Sequence, residues 1–287
     1  DCGAFSGARI TWRLAGASTQ LRTGGQATFF AMKLIQSRDN AFFKSLKRLA
    51  ESGRERRKTG QTLLDGLHLI KAYESAFGLV ETLIVAESAR EVGEISAFVE
   101  GRDVVVLVDH LLRDLGLVDT PSGVLAVARM PMATVAVDRT HDAILLDGVQ
   151  DPGNVGTLLR TAAAAGIKQA LLSPGCAAAW SPKVLRAGQG AHFALAIHED
   201  VDLMAFVADY QGTSAVTTLE QATSLYQAQW DGPLAWVFGS EGLGVSAELL
   251  AAARLRIRIP MPGAVESLNV AAAAAICLFE MLRRRLA

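Results

Sequence analysis

The residues of this chain that could do chemistry gather in three short stretches of its second half. The first runs Asp147-Gly148-Val149-Gln150-Asp151-Pro152-Gly153-Asn154-Val155-Gly156, with Arg160 six residues after Asn154. The second is Gly239-Ser240-Glu241-Gly242-Leu243-Gly244, and the third runs from Pro260 to Asn269 with Glu266 and Ser267. Such loops offer free amides, carboxamides, carboxylates and one guanidinium. The six glycines of the first two stretches let backbone N–H groups reach a ligand without a Cβ in the way. That composition suits holding a ligand and stabilising charge, although an ordinary connection packed on a core remains the alternative. The histidines (His68, His110, His141, His192, His198) lack metal-ligand spacing, and Cys2, Cys176 and Cys277 form no Cys-x-x-Cys pair. Neither a metal site nor a disulfide framework is expected, and a reducing compartment such as the cytoplasm fits.

Each stretch follows a run that reads as a strand: the apolar Ala143–Leu146 and Leu234–Phe238, and the alternating Leu255–Ile259. Strands alternating with helices predict a mainly parallel sheet, whose carboxyl edge would carry all three loops. Pro260 stops the third strand, since it lacks the N–H that a ladder needs. Ser267 is the expected N-cap of the following helix, which opens on the methyl-only run Ala271–Ala275. Further elements are expected at Ala170–Ser173, Pro182–Ala187, Phe193–Ile197, Val201–Tyr210, Ser214–Thr218 and Ala247–Ala252. No Gly-x-x-x-x-Gly-Lys-Ser/Thr phosphate loop is present. The run Gly242-Leu243-Gly244-Val245-Ser246-Ala247 fits a dinucleotide fingerprint. It lies too near the end of the sequence, however, and no acidic residue ends the next strand, which argues against an NAD-dependent oxidoreductase.

Upstream, residues 32–130 read as a small α/β/α domain, with a basic helix over Asn40–Ser52 leading through Gly53–Gly60 into a strand. Residues 131–142 read as a linker and 143–287 as the second domain. Net charge is −1, but residues 33–60 carry nine basic against three acidic residues, a local +6 of the kind that meets phosphate. Residues 1–31 hold Arg9, Arg13 and Arg22 with Asp1 as their one acid, a composition like that of a transit peptide. The alternative is a non-native extension ahead of Met32, which the absence of an opening Met favours; loose order is expected there. No apolar run is long enough to span a membrane.

Together the three loops resemble the signatures of the SpoU (TrmH-type) RNA 2′-O-ribose methyltransferases. Asn154-Val155-Gly156 with Arg160 is similar to the first, Phe238 to Gly244 to the second, and Ile259-Pro260-Met261 through Glu266-Ser267-Leu268-Asn269-Val270-Ala271 to the third. Ser181 to Ala187 also fits, and the N-terminal domain resembles a ribosomal-protein-like RNA-recognition domain. The resemblance implies the SPOUT fold, with a deep trefoil knot in its C-terminal part. It implies S-adenosylmethionine as cofactor, held by Gly239, Ile259, Met261 and Leu268, and a homodimer with Arg160 at or beside the interface. Catalysis would fall to Arg160, Asn154, Glu241, Ser267 and Asn269. A guanidinium stays protonated near neutral pH, so Arg160 is expected to grip a phosphate and stabilise alkoxide charge rather than act as a base. RNA, ribosomal or transfer, would be gripped by Arg54, Arg56, Arg57, Lys58, Lys183 and Arg186. Asp65-Gly66 departs from the commoner Glu-Gly, and Ala194 stands where relatives often place a basic residue. A non-catalytic RNA-binding relative is the remaining alternative, against which the intact polar set argues.

Overall fold

The computed structural model describes residues 12–13, 32–117, 121–133, 136–264 and 267–286. The rest of 1–31, whose composition predicts loose order, lies outside them, as do Val265 and Glu266 of the third loop. A short strand β1 (Trp12–Arg13) lies antiparallel against the connector between two sheets.

The first sheet has the order β2-β5-β4-β6-β3. Its elements are β2 (Met32–Ile35), α1 (Ala41–Glu51), α2 (Gly53–Thr59), β3 (Gln61–Asp65), α3 (Leu67–Phe77), β4 (Thr82–Ala86), α4 (Gly93–Val99), β5 (Val104–Leu107), α5 (Asp109–Asp114) and β6 (Val124–Arg129). Strand β6 runs antiparallel to both β3 and β4. The basic stretch is two helices rather than one helix and a loop. Ser52 ends α1 and its hydroxyl accepts from the Glu55 N–H at 3.1 Å, so one residue stops one helix and caps the next.

The connector contributes β7 (Met132–Ala133). The second sheet is parallel throughout. It comprises β8 (Ala143–Asp147), α6 (Pro152–Ala164), β9 (Gln169–Leu172), α7 (Pro182–Gly188), β10 (Ala196–His198), α8 (Leu203–Asp209), β11 (Thr213–Thr217), β12 (Thr223–Ser224), β13 (Leu234–Gly239), α9 (Ala247–Ala252), β14 (Leu255–Arg258) and α10 (Val270–Leu286). Strand order is β10-β9-β8-β13-β11-β14-β12. The expected strand over Phe193–Ile197 begins instead as a 3₁₀ turn at Ala191–Phe193. Alternate side chains of the central strands enter two cores, as the period-2 pleat requires: Ile144, Leu146, Trp236 and Phe238 face one side, Ala143, Leu145, Ala235 and Val237 the other.

Helices α6 and α7 cross closely. A Cβ on Gly156 would sit 2.6 Å from the Val184 carbonyl oxygen and 2.8 Å from the Gly188 nitrogen, so only glycine admits this approach. The two domains meet along α7 and the turn after it. Thr62 Oγ1 donates to the Trp180 carbonyl at 2.8 Å, and the Phe193 ring stands edge-on to Tyr73 and Phe77 at 5.6 Å from each. The buried Asp65 carboxylate pairs with Arg186 and accepts from Ser122 Oγ at 2.6 Å.

Candidate active site

In the second sheet β13 lies beside β8, with Gly239 opposite Asp147, and β11 separates β13 from β14. All four strands are parallel, so the loops that follow them leave by one edge. The loop after β13 closes on itself. Ser240 N–H donates to the Gly244 carbonyl at 3.0 Å, Gly244 N–H returns to Ser240 at 2.9 Å, and Gly244 adopts φ +70°. Gly239 is buried under this turn. A Cβ there would collide with the backbone of Gly244 and Val245, so glycine is what lets the loop fold back. Asp147 braces the arrangement, accepting from the Ser246 N–H at 2.8 Å.

Side chains from the three loops then join. Asp151 caps α6, its carboxylate accepting from the Asn154 N–H at 2.7 Å. Asn154 Nδ2 donates to Glu241 Oε1 at 2.8 Å, while its Oδ1 accepts from Asn269 Nδ2 at 3.0 Å. Asn269 Oδ1 in turn accepts from the N–H groups of Ala271 (2.9 Å) and Ala272 (3.3 Å). Asn269, not Ser267, therefore caps α10. Both residue types cap well, and the position is decided by which side chain reaches the orphan amides of the first turn. Desolvation pushes the Glu241 carboxyl up, but the bond from Asn154 and backbone amides at 241, 150 and 151 outweigh it and hold the group below the ordinary carboxylate range.

Beside this network opens a cleft of about 150 Å³, lined by Ile259, Met261, Ser267 and Leu268 from the third loop. Thr217, Thr218 and Leu219 form its opposite wall. Sequence reasoning misses those three; the one available signal is that Thr217 ends a parallel strand on the same edge. Gly239 does not line the cleft; it shapes the adjoining loop. Arg160 is exposed on α6 and makes no ion pair or hydrogen bond among the described residues. Two turns of helix separate it from Asn154, with exposed Thr157 between.

The basic residues divide. Arg54, Arg57 and Lys58 are exposed along α2, and Lys183 is exposed on α7. Arg56 does not share their outer face: it is 5% exposed, and its guanidinium donates to the carbonyls of Leu49 (2.7 Å) and Ala50 (3.2 Å). Arg186 is turned to Asp65, 121 residues earlier in the chain, which removes it from the freely available cations.

Residues 142–279 match the SpoU rRNA Methylase family, and residues 40–126 match the MRM3-like substrate binding domain. The chain is 33% identical over 87% of its length to the 23S rRNA (guanosine(2553)-2′-O)-methyltransferase RlmP of Bacillus subtilis, covering 99% of that protein. It belongs to the SpoU rRNA methylase family. Human mitochondrial rRNA methyltransferase 3 is 30% identical, with 84% of this chain and 71% of that one covered. The AdoMet-bound rRNA methyltransferase of Sinorhizobium meliloti shares the fold with a TM-score of 0.73 at 26% identity, over 89% of this chain and 99% of that one. The two matched ranges correspond to the second sheet with its three loops and to the N-terminal domain. Among the described residues, no helix is long and apolar enough to cross a membrane.

Proposed function

We propose that this protein transfers a methyl group from S-adenosylmethionine to a ribose 2′-hydroxyl of ribosomal RNA. The observation that carries the reading is the hydrogen-bonded chain Glu241–Asn154–Asn269, which ties three separate loops together at one sheet edge beside an apolar cleft. The lining of the cleft suits the cofactor's chemistry: Ile259, Met261, Leu268 and Leu219 offer apolar surface, Thr217, Thr218 and Ser267 offer hydroxyls, and the third loop offers backbone amides. When bound, S-adenosylmethionine supplies an already activated sulfonium methyl, so the protein's task is alignment.

The remaining chemistry is the chain's own. The 2′-hydroxyl must lose its proton as it attacks. Arg160, exposed and without an ion pair among the described residues, grips the neighbouring phosphate and stabilises the developing alkoxide charge. Its guanidinium cannot serve as the base, so a phosphate oxygen or water takes the proton. Asn154 holds the start of α6, and with it the helix that carries Arg160. Glu241 stays ionised and braces Asn154. Ser267 stands in the cleft wall, where its hydroxyl can meet the cofactor.

A homodimer completes the reading. Ala272, Phe279, Arg283 and Leu286 form an exposed stripe on α10, with Phe279 46% and Leu286 74% exposed, a surface suited to a second copy. Threading of the C-terminal segment as a knot belongs to the same reading, and the close helix packing at Gly156 is compatible with it. The decisive experiment is methyl transfer from labelled S-adenosylmethionine to ribosomal RNA, followed by mapping of the alkali-resistant ribose. Label appearing on a base rather than on ribose would overturn the assignment.

A further inference from the structure

A second cleft, of about 490 Å³, lies between the two domains. Its walls come from the end of α1, from α2 and the segment after α5 on one side, and from Pro152, the 177–178 segment and the start of α7 on the other. Pro152 is two residues from Asn154, so this cleft opens beside the loop that carries the candidate catalytic network.

Its charge is unusual. Arg56 lines it, is 5% exposed, and forms no ion pair among the described residues; its guanidinium donates to two backbone carbonyls. Burial pushes this guanidinium down from its ordinary value, with Glu199 opposing that shift and Arg57 reinforcing it. Glu199 acts on it only through space, its carboxylate accepting instead from the Ala179 N–H at 2.7 Å. Among the described residues this nearly buried cation therefore has no directly bound counter-charge, a costly state that an anionic ligand would relieve. Lys183, on the facing wall, is exposed and also unpaired among the described residues. The cleft's carboxylates are already engaged, Asp114 by Arg38 at 2.6 Å and Glu51 by Lys47 at 3.8 Å. Leu115, Pro152 and Pro182 supply apolar surface between the two cations.

We propose that this interdomain cleft seats one unpaired nucleotide of the RNA substrate, its phosphate charge met by Arg56 and Lys183 and its base covered by the apolar wall. The volume falls in the range of ligand sites, and single-stranded bases, unlike a duplex, can be splayed into such a space. This rests on the RNA-methylating reading and adds where the strand next to the reacting ribose goes.

The test is fluorescence anisotropy with a labelled single-stranded oligoribonucleotide of mixed sequence, titrated at several salt concentrations on the full chain. Lys183→Ala and Arg56→Gln should each weaken binding severalfold and make the slope of log K against log salt shallower by about 0.7. Ala178→Trp, which fills the cleft, should weaken binding at least about tenfold. Calorimetry should find S-adenosylmethionine affinity equal to wild type in all three. Arg56→Gln removes support from two carbonyls and can fail to fold, so Lys183→Ala and Ala178→Trp decide the question. Wild-type affinity and slope in those two would overturn the proposal, as would a duplex binding as tightly as the single strand. If wild-type protein methylates RNA while these variants bind normally, the cleft assignment alone fails. If these variants lose oligonucleotide affinity but the wild type neither binds S-adenosylmethionine nor methylates RNA, the enzymatic reading fails and the cleft stands.

Discussion

Replacing Asn269 separates two jobs that one side chain performs. Its Oδ1 caps α10 through the amides of Ala271 and Ala272, and its Nδ2 holds Asn154 at 3.0 Å. Asn269→Ala removes both. Loss of a cap costs about 1 kcal/mol, and loss of a hydrogen bond of this kind about 1 kcal/mol more. Asn269→Ser keeps a capping oxygen but is too short to reach Asn154, so it should cost about 1 kcal/mol. Hydrogen exchange reads the cap directly. In Asn269→Ala the amides of residues 271 and 272 should exchange about fivefold faster, the equivalent of ~1 kcal/mol, and in Asn269→Ser they should stay near wild type. Methyl transfer should fall in both variants, because Asn154 is loosened in both. The Glu241 carboxyl should titrate at higher pH once its partner is freed. Equal exchange in Ala and Ser variants would refute the division of labour, and unchanged exchange in Asn269→Ala would refute the cap.

Other perturbations test the scaffold. Gly156→Ala drives a methyl into the Val184 carbonyl and should cost about 1–3 kcal/mol, visible as a lowered calorimetric Tm. His192 is fully buried, with Nε2 held 2.8 Å from the Ala179 carbonyl, and burial lowers its pKa from 6.5 to about 4. The unfolded chain therefore takes up a proton that the native chain refuses as pH falls from 6.5 towards 4. Stability should drop by up to about 3 kcal/mol across that window in urea titrations, and His192→Gln should flatten the slope. Breaking the domain contact with Arg186→Met leaves the buried Asp65 carboxylate unpaired and should cost about 2–4 kcal/mol; the double variant with Asp65→Asn should recover part of that in a double-mutant cycle.

Much of the site is legible in the sequence because its signals are local. Gly-rich segments after apolar runs mark loops at strand ends, and a parallel sheet leaves one edge for all of them. Asn154, Glu241 and Asn269 stand together because those loops leave strands on that edge. What is not legible depends on contacts distant in sequence or on geometry within one turn. Ser267 and Asn269 are equally good capping residues, and only the positions of the α10 amides choose between them. The basic run reads as one solvated face, yet the Ser52 cap starts a new helix and turns Arg56 inward. Arg186 reads as free for RNA because its partner Asp65 lies in the other domain. Thr217, Thr218 and Leu219 carry no motif; they enter the cleft wall because β11 lies next to β14.

The most direct measurement is single-turnover methylation of unmodified ribosomal RNA by wild type, Asn154→Ala and Arg160→Ala, with the modified ribose mapped and S-adenosylmethionine binding measured alongside. The account predicts a 2′-O-methyl ribose with wild type and transfer lowered by a factor of about 10² or more in both variants, with cofactor affinity kept in Arg160→Ala. Undiminished transfer in Arg160→Ala, or methyl groups on a base, would contradict it.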